Sequence, residues 1–224
     1  MKLKTFKRCY YIFLSILIIL FFTKDINLFG NKFYKNIKII DEEDDILVLV
    51  NKNNKLTKSY IPKDLQKLNI KYSNEDKYLR EMAKNSFEKL SKKAKKEGLK
   101  IIAVSAYRSF DYQENLFNNY VVEYGKKYAL KCSAKPGHSE HQTGLAVDVM
   151  GSNNDYNKFA ETKEFIWMRE NAHKYGFILR YPKGKENITG FKYEPWHYRY
   201  VGRFIATIIH SEKLTLEEFF EKYK

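Results

Sequence analysis

The sequence has little of the raw material from which sites are usually read. Only two of its 224 residues are cysteine and only five are histidine. Cys9 lies inside an apolar run and Cys132 stands alone, so neither an internal disulfide nor a zinc-finger pair is available. There is no internal repeat, no low-complexity tract and no Gly-rich nucleotide loop. Acidic residues are in deficit, 27 against 41 Lys+Arg for a formal net charge of +14. Such an excess suits a polyanionic neighbour, whether nucleic acid, anionic lipid or an anionic wall polymer. Much of it is also compositional, because Lys is frequent all along the chain.

What is present describes one globular unit behind a hydrophobic leader. Hydrophobic residues make up 44% and charged residues 30%, enough for one good core at this length and too scattered for disorder. Lys2, Lys4, Lys7 and Arg8 precede an unbroken apolar run from Cys9 to Phe22. That order predicts a cytoplasmic tail (1–8), a transmembrane anchor (9–22) and an extracytoplasmic remainder. The run is apolar on every face, which a buried soluble helix does not need. The following TKDINLFGNKF has no small-residue cleavage site, so the anchor is expected to be retained. Residues 23–45 are polar and end in the acidic cluster 41–45, a tether leading to a domain over 46–224.

Within the domain the pattern is mixed. ILVLV (46–50), LKIIAVSAY (99–107), LAVDV (145–149), FILRY and WHYRYV are dense in β-branched and aromatic residues and read as strands. Leu79, Met82, Ala83, Phe87, Leu90 and Ala94 recur at helical spacing and stop at Gly98. Helical spacing returns over 110–124, again from Phe159 to Tyr175, and in RFIATIIH and LEEFFEKY. With no regular βαβ rhythm, the fold expected is α+β, a small, mostly antiparallel sheet packed with helices.

Three of the five histidines lie near carboxylates. His138 and His141 share the loop PGHSEHQTG, Asp148 follows in LAVDV, and Glu194 and His197 lie in EPWH. His141, Asp148 and His197 form a two-imidazole, one-carboxylate set of the kind that holds catalytic zinc with a coordination position to spare. Alternation puts Leu145, Val147 and Val149 on one face of the strand and Asp148 on the other. An acid flanked by valines needs a partner or a metal to be buried. Pro195 supplies a bend that brings the Glu194 carboxylate over a metal bound by His197, where it can act as general base. A lone His-x6-Asp or ExxH is commoner on surfaces than at active sites, and Asp148 paired with a lysine would leave no metal site. His138 and His173 are read as structural.

The residues SEHQTGLAVD at 139–148 match the pattern S-x-H-x-x-G-x-A-x-D, and EPWH at 194–197 matches E-x-W-H. With NKNNKL at 51–56, YRSFDYQ at 107–113 and ILRYPKGKENITG at 178–190, the chain over roughly 46–202 resembles the VanY-type D-alanyl-D-alanine carboxypeptidases. No position expected to carry chemistry departs from the pattern. The resemblance implies one Zn2+ held by His141, Asp148 and His197, and Glu194 as base. It implies Arg108 at the oxyanion or the substrate carboxylate, with a structural salt bridge as the alternative role. Gln113 and Ser139 are implied to contact substrate. Trp196 and Tyr107 are pocket walls or core, and core is the better reading for Tyr107. Peptidoglycan stem peptides are the implied partner, with D,D-cleavage, L,D-cleavage of tetrapeptides and a catalytically silent wall-binding module as open readings. The exported topology removes nucleic acid, and leaves anionic wall polymers or lipids as further partners.

Overall fold

The computed structural model describes residues 32–152 and 155–223. The chain divides into two compact units, Met1–Asn36 and Ile37–Lys224. The Cys9–Phe22 run lies outside the described residues, and among the described ones no helix is long and apolar enough to cross a membrane. Every strand and helix of the described residues belongs to the second unit.

The elements in chain order are β1 (Lys38–Ile39), β2 (Asn54–Lys55), β3 (Leu65–Lys67), β4 (Tyr78–Arg80), α1 (Glu81–Lys96), β5 (Ile102–Ser105), α2 (Phe110–Tyr124) and α3 (Lys126–Cys132). Then come β6 (Ala146–Met150), α4 (Lys163–Asn171), β7 (Phe177–Leu179), α5 (Glu186–Thr189), β8 (His197–Tyr200), α6 (Arg203–Glu212) and α7 (Leu216–Tyr223). The central sheet has the order β5-β6-β8-β7, with every neighbouring pair antiparallel. The α+β expectation with a small antiparallel sheet therefore holds. Two two-stranded ribbons flank it: β3–β4 is antiparallel and β1–β2 parallel.

The two faces of the central sheet do different work. Val147, Val149, Tyr198, Tyr200 and Phe177 point into the larger core, which α1 closes with Ala83, Phe87, Leu90 and Ala94. Phe87 meets Phe177 edge-on at 6.1 Å, and each such fully buried side chain contributes roughly 1.5–3 kcal/mol. The strand period of two sends Ala146, Asp148, His197, Arg199 and Ile178 to the opposite face. There Ile178 joins Val201, Ala206, Ile209, Leu216 and Phe219 in a second core built by α6 and α7.

Three local expectations are corrected. ILVLV (46–50) is not a strand. It is stretched between the two cores, with Val48 and Val50 in the larger and Leu47 and Leu49 against the smaller. The Ile46 and Val48 carbonyls accept from Arg199 Nη2 at 2.8 and 2.9 Å, so a buried guanidinium replaces a neighbouring strand. The compact unit also begins at Ile37 rather than Ile46. The acidic cluster assigned to the tether is docked: Tyr60 OH donates to Asp44 at 3.0 Å, Thr57 Oγ1 to Glu43 at 3.0 Å, and Arg80 Nη1 to the Asp44 carbonyl at 2.7 Å. The helical stretch from Phe159 to Tyr175 is three pieces, a 3-10 turn (Phe159–Glu161), α4 capped by Thr162, and a second 3-10 turn (Ala172–Tyr175).

Candidate active site

The site is assembled on the polar face of the central sheet. Asp148 on β6 is the register partner of His197 on β8 and of Ser105 on β5. His197 Nδ1 consequently lies 2.9 Å from Asp148 Oδ1. His141 arrives from outside the sheet, on a 3-10 turn (Glu140–Thr143) that ends at Gly144 in the left-handed region with φ +66°. A Cβ at Gly144 would stand 2.8 Å from Leu65 Cδ2 and 3.0 Å from Arg80 Cγ, so only glycine lets the turn pass under β3–β4 into β6. The turn is clamped to the end of β5: Arg108 N–H donates to the His141 carbonyl at 3.2 Å. His141 Nδ1 is 2.6 Å from the Ala106 carbonyl.

That last contact fixes the imidazole. A carbonyl can only accept, so Nδ1 carries the proton and Nε2 presents a lone pair. Nε2 is buried with no hydrogen-bond partner, and it lies 3.3 Å from Asp148 Oδ2. Burial, reinforced by the nearby Arg108 guanidinium, pushes His141 down to about 4, so it is neutral at pH 7. Two acceptors facing each other in a buried site require a cation between them.

His197 is arranged the other way round. Its Nε2 lies 3.3 Å from Glu140 Oε2 and its Nδ1 faces Asp148 and, at 4.0 Å, Glu194 Oε2. Burial pulls His197 down, but the hydrogen bonds to Asp148 and Glu140 outweigh it and push the imidazole up to about 9. Tyr181 stacks obliquely on its ring, centroids 4.9 Å apart. Burial raises Asp148, yet the hydrogen bond and charge of His197 overcome that and hold it well below the usual carboxylate range.

His141, Asp148 and His197 each offer a ligand atom within 4.8 Å of the others, and all three are buried. Two imidazole nitrogens, one carboxylate oxygen and an orphaned lone pair match a zinc donor set. The bend at Pro195 is present: His197 N–H donates to the Glu194 carbonyl at 3.1 Å, which folds the Glu194 side chain back beside the ligand it precedes. Burial pushes Glu194 up to about 7, with the Asp148 charge adding to the rise and His197 opposing it. A carboxylate titrating near neutral pH next to a metal set has the proton affinity of a general base.

The other expected residues fall around this centre. Arg108 Nη2 is 3.7 Å from Asp148 Oδ2, while its Nε is a buried donor with no partner. Gln113 is buried on α2; its Nε2 donates to Ser133 Oγ at 3.2 Å and to the Ala134 carbonyl at 2.8 Å, and its Oε1 has no partner. Ser139 is buried at the entry to the turn that carries His141. Trp196 meets Tyr156 edge-on at 5.1 Å and packs at the margin of the larger core. Tyr107 is half-buried. His138 is structural, its Nδ1 2.8 Å from the Asn51 carbonyl, and His173 stacks on His210 at 3.8 Å.

Sequence reasoning passed over Glu140, Arg180 and Arg199, all fully buried beneath His197. The signal was present in FILRY and WHYRYV. An arginine in the middle of an apolar strand demands a carboxylate, and the acid between two histidines in HSEH was available.

Residues 76–203 match the family described as VanY, D-alanyl-D-alanine carboxypeptidase. The chain is 43% identical over 207 residues to the Bacillus subtilis protein YodJ, provisionally named a carboxypeptidase; the match covers 87% of this chain and 76% of YodJ. Among solved structures it resembles the LdcB LD-carboxypeptidase, described for its peptidoglycan recognition, at 45% identity and TM-score 0.80, covering 85% of this chain and 92% of that one. It also resembles the vancomycin-resistance D,D-pentapeptidase VanY in complex with Zn(II), at 34% identity and TM-score 0.67, covering 78% of this chain and 98% of that one.

Proposed function

The chain belongs to the VanY family of D-alanyl-D-alanine carboxypeptidases, and from that premise we propose how its own residues divide the reaction. It is a zinc-dependent carboxypeptidase whose substrate is the peptidoglycan stem peptide, from which it removes the C-terminal D-alanine. The observation that carries the reading is the buried Nε2 of His141, a lone pair held toward the Asp148 carboxylate with nothing to receive it.

His141 Nε2, Asp148 and His197 Nδ1 would hold the metal. When bound, zinc supplies Lewis acidity that polarises the scissile carbonyl and lowers the pKa of the attacking water. Glu194 takes the proton of that water and delivers it to the departing amine, a role supported by its rise to about 7. Arg108 meets the anion: its unpartnered Nε and its Nη2 provide a planar pair of donors for the substrate carboxylate or for the oxyanion of the tetrahedral intermediate. Gln113 Oε1, buried and unpartnered, accepts from a substrate amide. Ser139 and Trp196 are assigned to substrate contact on the motifs that carry them, S-x-H and E-x-W-H. The basic N-terminus and the Cys9–Phe22 run support a single-pass anchor with the enzyme outside the membrane, and the net charge of +14 supports company with anionic wall polymers or lipids.

The test is mass spectrometry of pentapeptide and tetrapeptide stems after exposure to the zinc-loaded protein. Loss of one D-alanine from the pentapeptide, abolished in Glu194→Ala, is the expected result; an intact pentapeptide overturns it. The likeness to LdcB favours a second reading, in which the tetrapeptide is the preferred substrate, and the same spectra decide it.

A further inference from the structure

Beneath His197 lies a set of charges that takes no part in the proposed chemistry. Glu140 is 1% exposed and Arg180 and Arg199 are 0%. Glu140 Oε1 accepts from Arg180 Nε at 2.8 Å and from Arg199 Nη1 at 2.9 Å, while Oε2 is 3.3 Å from His197 Nε2. Arg180 continues outward, donating from Nη1 and Nη2 to both carboxylate oxygens of Glu217 at 2.8 and 2.7 Å. Two carboxylates thus compensate two guanidiniums, the condition under which buried charges are tolerated.

We propose that Glu140 is a positioning residue for His197, and that Glu217 on the C-terminal helix α7 holds Glu140 in place through Arg180. The inference rests on the proposed zinc site. One oxygen of Glu140 is taken by two guanidiniums, which aims the other at the imidazole. An ionised carboxylate can only accept, so Glu140 takes the Nε2–H of His197 and leaves Nδ1 as the nitrogen that faces Asp148 and Glu194. Without that acceptor the ring loses the contact that fixes its orientation, and Nδ1 is no longer held toward Asp148, where the metal would bind. Glu217 lies beyond residues 76–203, the part of the chain the family match covers. The anchor of this site therefore reaches into α7, which also packs Leu216 and Phe219 into the smaller core.

The experiment uses the full chain and two variants, Glu140→Gln and Glu217→Gln. Zinc affinity is measured by competition with a chelator, and Co2+ is substituted to read the ligand field in its visible spectrum. Glu140→Gln should weaken zinc by about 10–100-fold and shift the cobalt bands, as loss of a ligand's outer partner does. Glu217→Gln should move both readouts in the same direction by less. Should Glu140→Gln strand two guanidiniums and fail to fold, Glu217→Gln decides, because its side chain is 14% exposed and accessible to water. Folded variants with wild-type affinity and an unchanged cobalt spectrum overturn the inference, even if they melt earlier, because a merely structural network changes only the melting. A wild-type chain that binds no zinc overturns instead the zinc site on which this rests.

Discussion

Asp148 and His197 are register partners on adjacent antiparallel strands, and their side chains meet at 2.9 Å across the polar face of the sheet. His141 completes the set from a glycine-ended turn tied to the Ala106 carbonyl. Replacing any of the three by alanine removes one donor of three, and zinc content should fall with activity. Glu194→Ala removes the base and no ligand. It should retain stoichiometric zinc by metal analysis while turnover falls by at least ~10²-fold.

Zinc binding should release protons. In the metal-free protein His197 is pushed up to about 9 by Asp148 and Glu140 against the effect of burial, so at pH 7 it carries a proton on the nitrogen that must bind metal. Because that proton competes with the metal below pH 9, zinc affinity should rise by about tenfold per pH unit from this group and level off near 9. Calorimetric titration at pH 7 in buffers of different ionisation enthalpy should show proton release. Affinity that is flat between pH 6 and 8 contradicts the assignment.

Arg108 is poised for an anion, with Nε unpartnered and Nη2 3.7 Å from Asp148 Oδ2. Lysine keeps the charge and loses the planar fork, so Arg108→Lys should not restore the rate. A pentapeptide free acid and its C-terminal amide separate the two roles. If the guanidinium binds the substrate carboxylate, the wild type prefers the acid strongly and Arg108→Ala erases most of the preference. If it serves the oxyanion, both substrates slow by roughly 10²–10³-fold. Wild-type rates on both substrates would reduce Arg108 to a salt bridge with Asp148.

The proposed topology is checked with protoplasts. Protease added outside should digest the unit beginning at Ile37, leaving any cytoplasmic marker intact. Complete protection of that unit places it on the other side of the membrane.

The sequence by itself singled out four side chains that the fold brings together. His141, Asp148, Glu194 and His197 are legible because metal chemistry restricts residue types tightly and the motifs keep them at fixed spacing. It also determined α1, α2, α6 and α7, where apolar residues at three- and four-residue intervals leave one solution. Period two alone put Asp148 on the face opposite Val147 and Val149, and that is where it lies. The rest was decided by contacts between residues far apart in the chain. ILVLV has the composition of a strand, but Arg199 takes its carbonyls from about 150 positions away. Nε2 of His197 is met by Glu140, and Glu140 is held by Arg180 and Arg199, 40 and 59 residues distant. Local spacing records which side chains share a face of one element. It does not record which charges compensate one another once buried, because that pairing is set by the low-dielectric interior that only the folded chain creates.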